Sequence, residues 1–217
     1  MLHIMSKENT ILNNFIAQLR DVDIQKDSMR FRRNLERIGE MTAYEISKTL
    51  VYEPAMVETP LGEANLMLAR DNIVLATIMR AGLPYHQGFL NCFDNARSAF
   101  VSTFRRYSKD NSFKINVEYI SSCNLEGKTL ILVDPLIATG ASIVLAHNAL
   151  VEKGGTPKET HIATVIASEE GLEYTSRNLP PEAHIWCGAV DEELTVQSFV
   201  VPGMGDAGDL AYGSKTE

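Results

Sequence analysis

The sequence predicts an α/β fold, a mostly parallel central sheet flanked by helices, in one domain over residues 1–217. Three observations predict it. Apolar runs of strand length recur at residues 73–79, 98–104, 129–133, 161–167 and 184–189. They are apolar on both faces rather than strictly alternating, as strands covered on both sides are. Helical stretches near 83–93, 140–153 and 169–178 separate several of them, which is the order of a β-α-β series.

Ahead of these runs, residues 6–20 and 28–50 read as N-terminal helices. In the second, Phe31, Leu35, Ile38, Met41 and Ile46 recur at roughly helical spacing among charges. Pro54 and Pro60-Leu61-Gly62 then punctuate a connecting region. Residues 105–120 are expected to leave the sheet as a β-hairpin-like excursion that leans over the site. The tail at 200–217, rich in Gly and Asp, reads as irregular backbone.

Composition narrows the partners. The formal net charge is −8, which argues against a general nucleic-acid or membrane-surface binder. The charge is uneven: Arg97, Arg105, Arg106, Lys109 and Lys114 cluster with only Asp110 between them. A local basic segment in an acidic chain suits a small anionic ligand, and equally suits a solvated loop. Cys92, Cys123 and Cys187 make no C-x-x-C pair, and the histidines fall at no ligand spacing with them. The simplest reading is a reducing compartment without structural zinc. The N-terminus lacks a signal-peptide core and no run approaches eighteen apolar residues, so a cytoplasmic location is expected.

In an open parallel sheet, ligands gather beyond the carboxyl ends of the strands. Arg80, Arg105 and Asp134 each close an apolar run there. Residues 130–142, LILVDPLIATGAS, are the most informative stretch. A strand followed by Thr139-Gly140-Ala141-Ser142 at a helix start points backbone N–H groups and two hydroxyls at one spot, with the helix dipole behind them. A phosphate monoester fits that spot, although an ordinary N-cap uses the same residues. Neither G-x-x-x-x-G-K-[ST] nor G-x-G-x-x-G after a strand is present. Asp134 precedes the loop by five residues, and a carboxylate beside a phosphate must meet hydroxyls or a metal instead. A ribose 5-phosphate satisfies both halves; a simple turn residue before Pro135 is the plainer account.

LVDPLIATGAS resembles the 5-phosphoribosyl-1-diphosphate (PRPP) signature of type I phosphoribosyltransferases. More narrowly, it is similar to the V-D-P-M-L-A-T-G-G-S form of the uracil phosphoribosyltransferase family. Three further stretches agree in order: FRRNLERIGEMTAYEISKTL at 31–50, TIMRAGLPYHQGF at 77–89, and VVPGMGDAGDLAYG at 200–213. The last resembles the family's I-P-G-L-G-D-A-G-D terminus and is the most specific of the four. The resemblance implies PRPP binding by Arg80, Arg105, Asp134, Pro135, Leu136, Ile137, Ala138, Thr139, Gly140, Ala141, Ser142 and Asp206. It implies uracil recognition by Val200, Gly205, Asp206 and Ala207, largely through backbone groups, and catalytic parts for Arg105, Asp134 and Asp206. Mg²⁺ is expected as cofactor, arriving on PRPP, with no direct protein ligand assigned. The implied partners are PRPP and uracil, with no nucleic acid or membrane, and a homo-oligomer is expected. Another nucleobase as acceptor, or a PRPP-binding regulator with little catalysis, are the competing readings.

Three departures from the family pattern raise structural questions. Ala141 stands where a second loop glycine is usual, which is acceptable only if its φ is negative. Leu210 replaces a basic residue after G-D-A-G-D. Glu118-Tyr119 replaces an expected proline-tyrosine pair, so Tyr119 is given no role.

Overall fold

A computed structural model describes the backbone of residues 1–70, 72–107 and 113–215, and their side chains except at 104–107 and 113–116. In chain order the elements are β1 (Leu2–Ile4), α1 (Ile11–Arg20), α2 (Ser28–Ser47), β2 (Tyr52–Thr59), β3 (Gly62–Ala69), β4 (Ile73–Met79) and α3 (Gly82–Cys92). β5 (Arg97–Tyr107), β6 (Phe113–Ser121), β7 (Thr129–Val133), β8 (Leu136–Ile137), α4 (Ala141–Gly154) and β9 (Glu159–Ser168) follow. The chain continues with α5 (Glu169–Asn178), β10 (His184–Asp191), β11 (Glu193–Leu194), β12 (Val200–Val201) and α6 (Ala207–Tyr212).

The central sheet runs β1-β10-β9-β7-β4-β5-β6, with β8 paired to β9. Every neighbouring pair is parallel except β5 with β6. β4 and β7 are buried along almost their whole length because apolar side chains on both faces meet helices. One core layer packs Leu35, Ile38 and Ile46 of α2 and Phe89 of α3 against Leu75 and Ile131. The opposite layer packs Ile143 and Leu150 of α4 against Leu130, Leu132 and Ile162. After β4 the chain winds one way to β5, and after β7 it winds the other way to β9 and β10. The order therefore reverses between β4 and β7, and a crevice opens at their carboxyl ends.

Local chemistry sets the helix ends. Thr10 caps α1 by accepting from the Leu12 N–H at 3.3 Å, and Asp27 caps α2 by accepting from the Arg30 N–H at 3.0 Å. Ser168 caps α5 in the same way, with Glu169 and Glu170 in the positive first turn. Between α2 and α3 the backbones meet closely at two glycines: a Cβ on Gly88 would lie 2.0 Å from the Glu36 carbonyl oxygen. That contact brings Tyr85 and Phe89 under α2, where both are fully buried.

Four expectations need correction. The connecting region before residue 73 is a hairpin, β2 with β3, paired from Tyr52↔Ala69 to Thr59↔Gly62. Almost all of its side chains are exposed, so the sequence has no buried face to reveal it. The N-terminal segment begins with an edge strand, β1, that pairs with β10. The tail is not wholly irregular: β12 pairs with β11, and α6 follows, capped by Asp206. Finally, Arg105 does not close its strand. β5 pairs with β4 only as far as Ser102, then runs on beside β6 with Arg105 opposite Ile115. The antiparallel partner prolongs the ladder beyond the parallel sheet. The hairpin-like excursion is thus present as β5–β6, while residues 108–112 lie outside the described residues.

Candidate active site

A cavity of about 550 Å³ occupies the crevice between the carboxyl ends of β4 and β7. Three segments wall it: Ile78 to Ala81 after β4, Asp134 to Ile143 around β7 and α4, and Ser198 to Gly208 in the tail, joined by Thr103 and Lys215. Arg80, Asp134, Leu136, Ile137, Ala138, Thr139, Gly140, Ser142, Gly205, Asp206 and Ala207 all line it. Sheet order brings the Arg80 and Asp134 segments together, and side-chain contacts such as Arg80 with Asp209 carry the tail to them.

The β7–α4 wall is stitched to its neighbours. The Asp134 N–H donates to the Ala163 carbonyl at 3.1 Å, and β8 pairs with Ile166 and Ala167 of β9. Pro135 is buried, and its carbonyl accepts from the N–H groups of Val165 and Ile166 at 3.2 and 3.1 Å. Its place is therefore under the loop and not on the cavity wall. The Ser168 hydroxyl donates to the Ala138 carbonyl at 2.5 Å, fixing the loop from below. Gly140 turns the chain with φ of 77°, where a side chain would strain the backbone. A Cβ there would also lie 2.6 Å from both the Gly171 carbonyl oxygen and Thr175 Oγ1.

α4 starts at Ala141 with no side-chain cap, so its first-turn N–H groups remain for an anion beside the Thr139 and Ser142 hydroxyls. Ala141 itself is helical. Ser198 is the non-glycine residue with positive φ among those described, so alanine fits where a glycine is usual. Ala141 does not line the cavity.

Asp134 is half-buried at the end of β7. Burial pushes its carboxyl up to about 7, against the opposing effect of the Leu136 N–H. Such a group is poised to lose its proton when positive charge or hydroxyl donors arrive. Across the gap, Arg80 donates from Nη2 to Asp209 Oδ1 at 2.8 Å and from Nη1 to the Gly213 carbonyl at 3.1 Å. Its Nε is buried without a hydrogen-bond partner. The side chains of Arg105 and Arg106 lie outside the described residues.

The tail wall is built from bent backbone held by arginines. Arg20 grips Asp191 with both terminal nitrogens, at 2.7 and 2.8 Å, and donates to the Gly203 carbonyl at 2.9 Å. Asp191 Oδ2 accepts in turn from the Gly203 N–H at 2.9 Å. Arg32 donates to the Ala211 carbonyl at 2.6 Å. Leu210 packs against the apolar core beside Gly205, so its role here is packing and not an ion pair. Val200 is buried in β12 and does not line the cavity; Ser198 and Phe199 do. Sequence reasoning missed Thr103, Ser198, Phe199 and Lys215, which bear no local motif of their own, and Gly208, which lies inside G-D-A-G-D. It also gave Asp209 no role although it stands within G-D-A-G-D.

Among the described residues no three His, Cys, Asp or Glu side chains gather as a metal cluster. The carboxylates on the cavity wall are Asp134 and Asp206, hard oxygen donors of the kind that Mg²⁺ takes beside waters and substrate oxygens. A second cavity of about 660 Å³ lies between the N-terminal segment and α2, lined by residues such as Ile4, Ile11, Met41 and Trp186. It holds none of the predicted site residues.

A mostly parallel sheet whose switch point opens beside an uncapped helix start, a strand-end carboxylate and an opposed arginine has the fold of a type I phosphoribosyltransferase. Residues 6–214 match the family model described as uracil phosphoribosyltransferase. The chain is 50% identical over 211 residues to a uracil phosphoribosyltransferase of Porphyromonas gingivalis, covering 97% of each. It is 36% identical to one of Pyrococcus furiosus, covering 95% of this chain and 88% of that protein. A solved structure, the AQ2163 protein of Aquifex aeolicus, superposes with a TM-score of 0.87 at 26% identity over the full length of both chains. The adenine phosphoribosyl transferase of Trypanosoma brucei shares the fold at a TM-score of 0.54 and 11% identity, over 91% of this chain and 87% of that one. The chain belongs to the uracil phosphoribosyltransferase family.

Proposed function

We propose that this protein transfers the 5-phosphoribosyl group of PRPP to N1 of uracil, giving uridine 5′-monophosphate and diphosphate. The observation that carries this reading is the meeting, in one cavity, of Arg80, Asp134, the Thr139–Ser142 turn and the Gly205–Ala207 backbone. The first-turn N–H groups of α4, with Thr139 and Ser142, bind the 5′-phosphate. Asp134 accepts from the 2′- and 3′-hydroxyls, which is why a carboxylate is tolerated beside a phosphate. Arg80 takes the diphosphate; Arg105 is the second candidate by resemblance. Backbone groups of Gly205 to Ala207, the part of the 200–207 stretch on the cavity wall, are the candidates to meet the acceptors and donor of uracil.

The C1′–O bond to diphosphate breaks, the C1′–N1 bond forms, and the N1 proton leaves to solvent. Positive charge grows on the ribose ring while negative charge grows on the diphosphate, so the chain's task is positional and electrostatic. Asp134 lies on the side of the cationic ring and Arg80 on the side of the leaving group. Mg²⁺ would offset diphosphate charge there, and Asp134 and Asp206 are the carboxylates that would help hold it.

The test is direct. Protein, PRPP and Mg²⁺ are mixed with uracil, cytosine, hypoxanthine or orotate singly, and diphosphate and nucleotide are followed. Product from uracil alone is expected; product only from another base overturns the assignment. We also propose that the protein works in the cytoplasm as a homo-oligomer. No helix among the described residues is long and apolar enough to cross a membrane. Support for self-association comes from the β2–β3 hairpin, where Met56, Leu61, Leu66, Met67 and Leu68 are all exposed. A lone two-stranded hairpin is marginal in water without a surface to lie on. Light scattering after size exclusion should give a mass above 24.0 kDa, and a monomer at micromolar concentration would refute it.

A further inference from the structure

The C-terminal element does more than share a cavity with Arg80. Two of the guanidinium nitrogens are already engaged, Nη2 by Asp209 Oδ1 at 2.8 Å and Nη1 by the Gly213 carbonyl at 3.1 Å. The third, Nε, is buried without a hydrogen-bond partner. Asp209 is itself held: its N–H donates to Asp206 Oδ1 at 3.0 Å in the first turn of α6. Backbone and side chain of one residue thus join the helix cap to the arginine at the end of β4.

We propose that Asp209 is a positioning residue for the reaction, holding the Arg80 guanidinium across the cavity so that its free N–H groups meet the diphosphate. This rests on the reading of Arg80 as a diphosphate ligand. Arginine is a long side chain that loses rotamer freedom when it grips an anion, and a contact made beforehand moves that loss ahead of the chemical step. The pair is too open to serve mainly as a fold clamp, since 33% of the Arg80 side chain and 36% of that of Asp209 are exposed. Nor does anion affinity explain it, because a second carboxylate weakens the positive field that diphosphate meets. Orientation is what the contact supplies.

The experiment compares Asp209→Ala and Asp209→Asn in the wild-type and Arg80→Ala backgrounds, with Tm as a folding control. For Asp209→Ala we expect turnover to fall about tenfold, with the KM for uracil within about twofold and Tm little changed. Asp209→Asn keeps an acceptor in place and should recover most of the turnover. In the Arg80→Ala background, removing Asp209 should change turnover by less than about twofold, because nothing remains to be positioned. Wild-type kinetics for Asp209→Ala, Asn as impaired as Ala, or losses that multiply in the double variant would overturn the proposal. Should Arg80→Ala alone keep full turnover, the diphosphate assignment of Arg80 fails, and that outcome is recognised before Asp209 is touched.

Discussion

The two walls of the cavity are made differently. The β7–α4 wall stands on strand ladders and buried apolar side chains: Asp134 to Ile137 hang from β9, and Ile143 lies in the core. The tail wall, from Ser198 to Gly213, has almost no ladder and is pinned by guanidinium groups from three elements, Arg20 of α1, Arg32 of α2 and Arg80 after β4. A sheet can position a rigid phosphate cradle with backbone alone. The proposed uracil site would need bent backbone with N–H and C=O groups not spent on a ladder, and here side chains from elsewhere hold that backbone.

Arg20→Ala should test this contrast hardest. It strands the buried Asp191 carboxylate and releases the Gly203 carbonyl, destabilising the protein by about 3 kcal/mol. Thermal melting should register a fall of roughly 6–12 °C. The KM for uracil should rise while that for PRPP holds; an equal rise in both would break the distinction between the walls.

Gly140→Ala attacks the other wall. Left-handed backbone and the close Gly171 and Thr175 oxygens together should cost about 2 kcal/mol of stability. PRPP binding should be lost with it, measurable by titration calorimetry, because the turn that aims the α4 N–H groups cannot form.

Asp134→Asn sharpens the electrostatic side. The carboxyl is raised from 3.8 to about 7 in the folded state, so the folded protein keeps a proton that the unfolded chain has already released. That contribution is full below pH 3.8 and is lost as pH rises through 7. The asparagine variant should therefore be more stable than wild type at pH 8, by about 1–2 kcal/mol once cavity solvent is allowed for, and show no gain at pH 4. PRPP affinity should fall in the same variant. Melting curves at the two pH values decide it, and a loss of stability at pH 8 would contradict a desolvated carboxyl.

Arg32→Ala should have the smallest effect. It removes one charged hydrogen bond to the Ala211 carbonyl, worth about 0.5–1 kcal/mol, and should raise the uracil KM slightly. Denaturant midpoints and steady-state kinetics would record both.

Much of this molecule could be read before folding it. The runs at 73–79 and 129–133 coincide with β4 and β7, and 169–178 with α5, because burial on both faces or a Ser168 cap leaves a local mark. That Asp134 and the Thr139–Ser142 turn line one cavity was legible for a related reason: a strand end and the helix start after it are consecutive residues. The β2–β3 hairpin was not, since neither strand has a buried face. Nor was α6, six residues long and capped by an aspartate that motif reading had assigned to substrate.

The sequence by itself determined the layered α/β plan, the strand-end carboxylate, the turn at the start of α4 and the family to which the motifs belong. Each depends on side chains within a few residues of one another, where period, cap and turn chemistry act. Only the tertiary structure decided that Ala141 is helical, that Leu210 packs into the core, that Arg105 sits inside a prolonged β5, and that Asp209 holds Arg80. Those facts come from contacts distant in sequence, such as Arg80 with Asp209, 129 residues apart, which meet because the tail lies against the carboxyl end of β4.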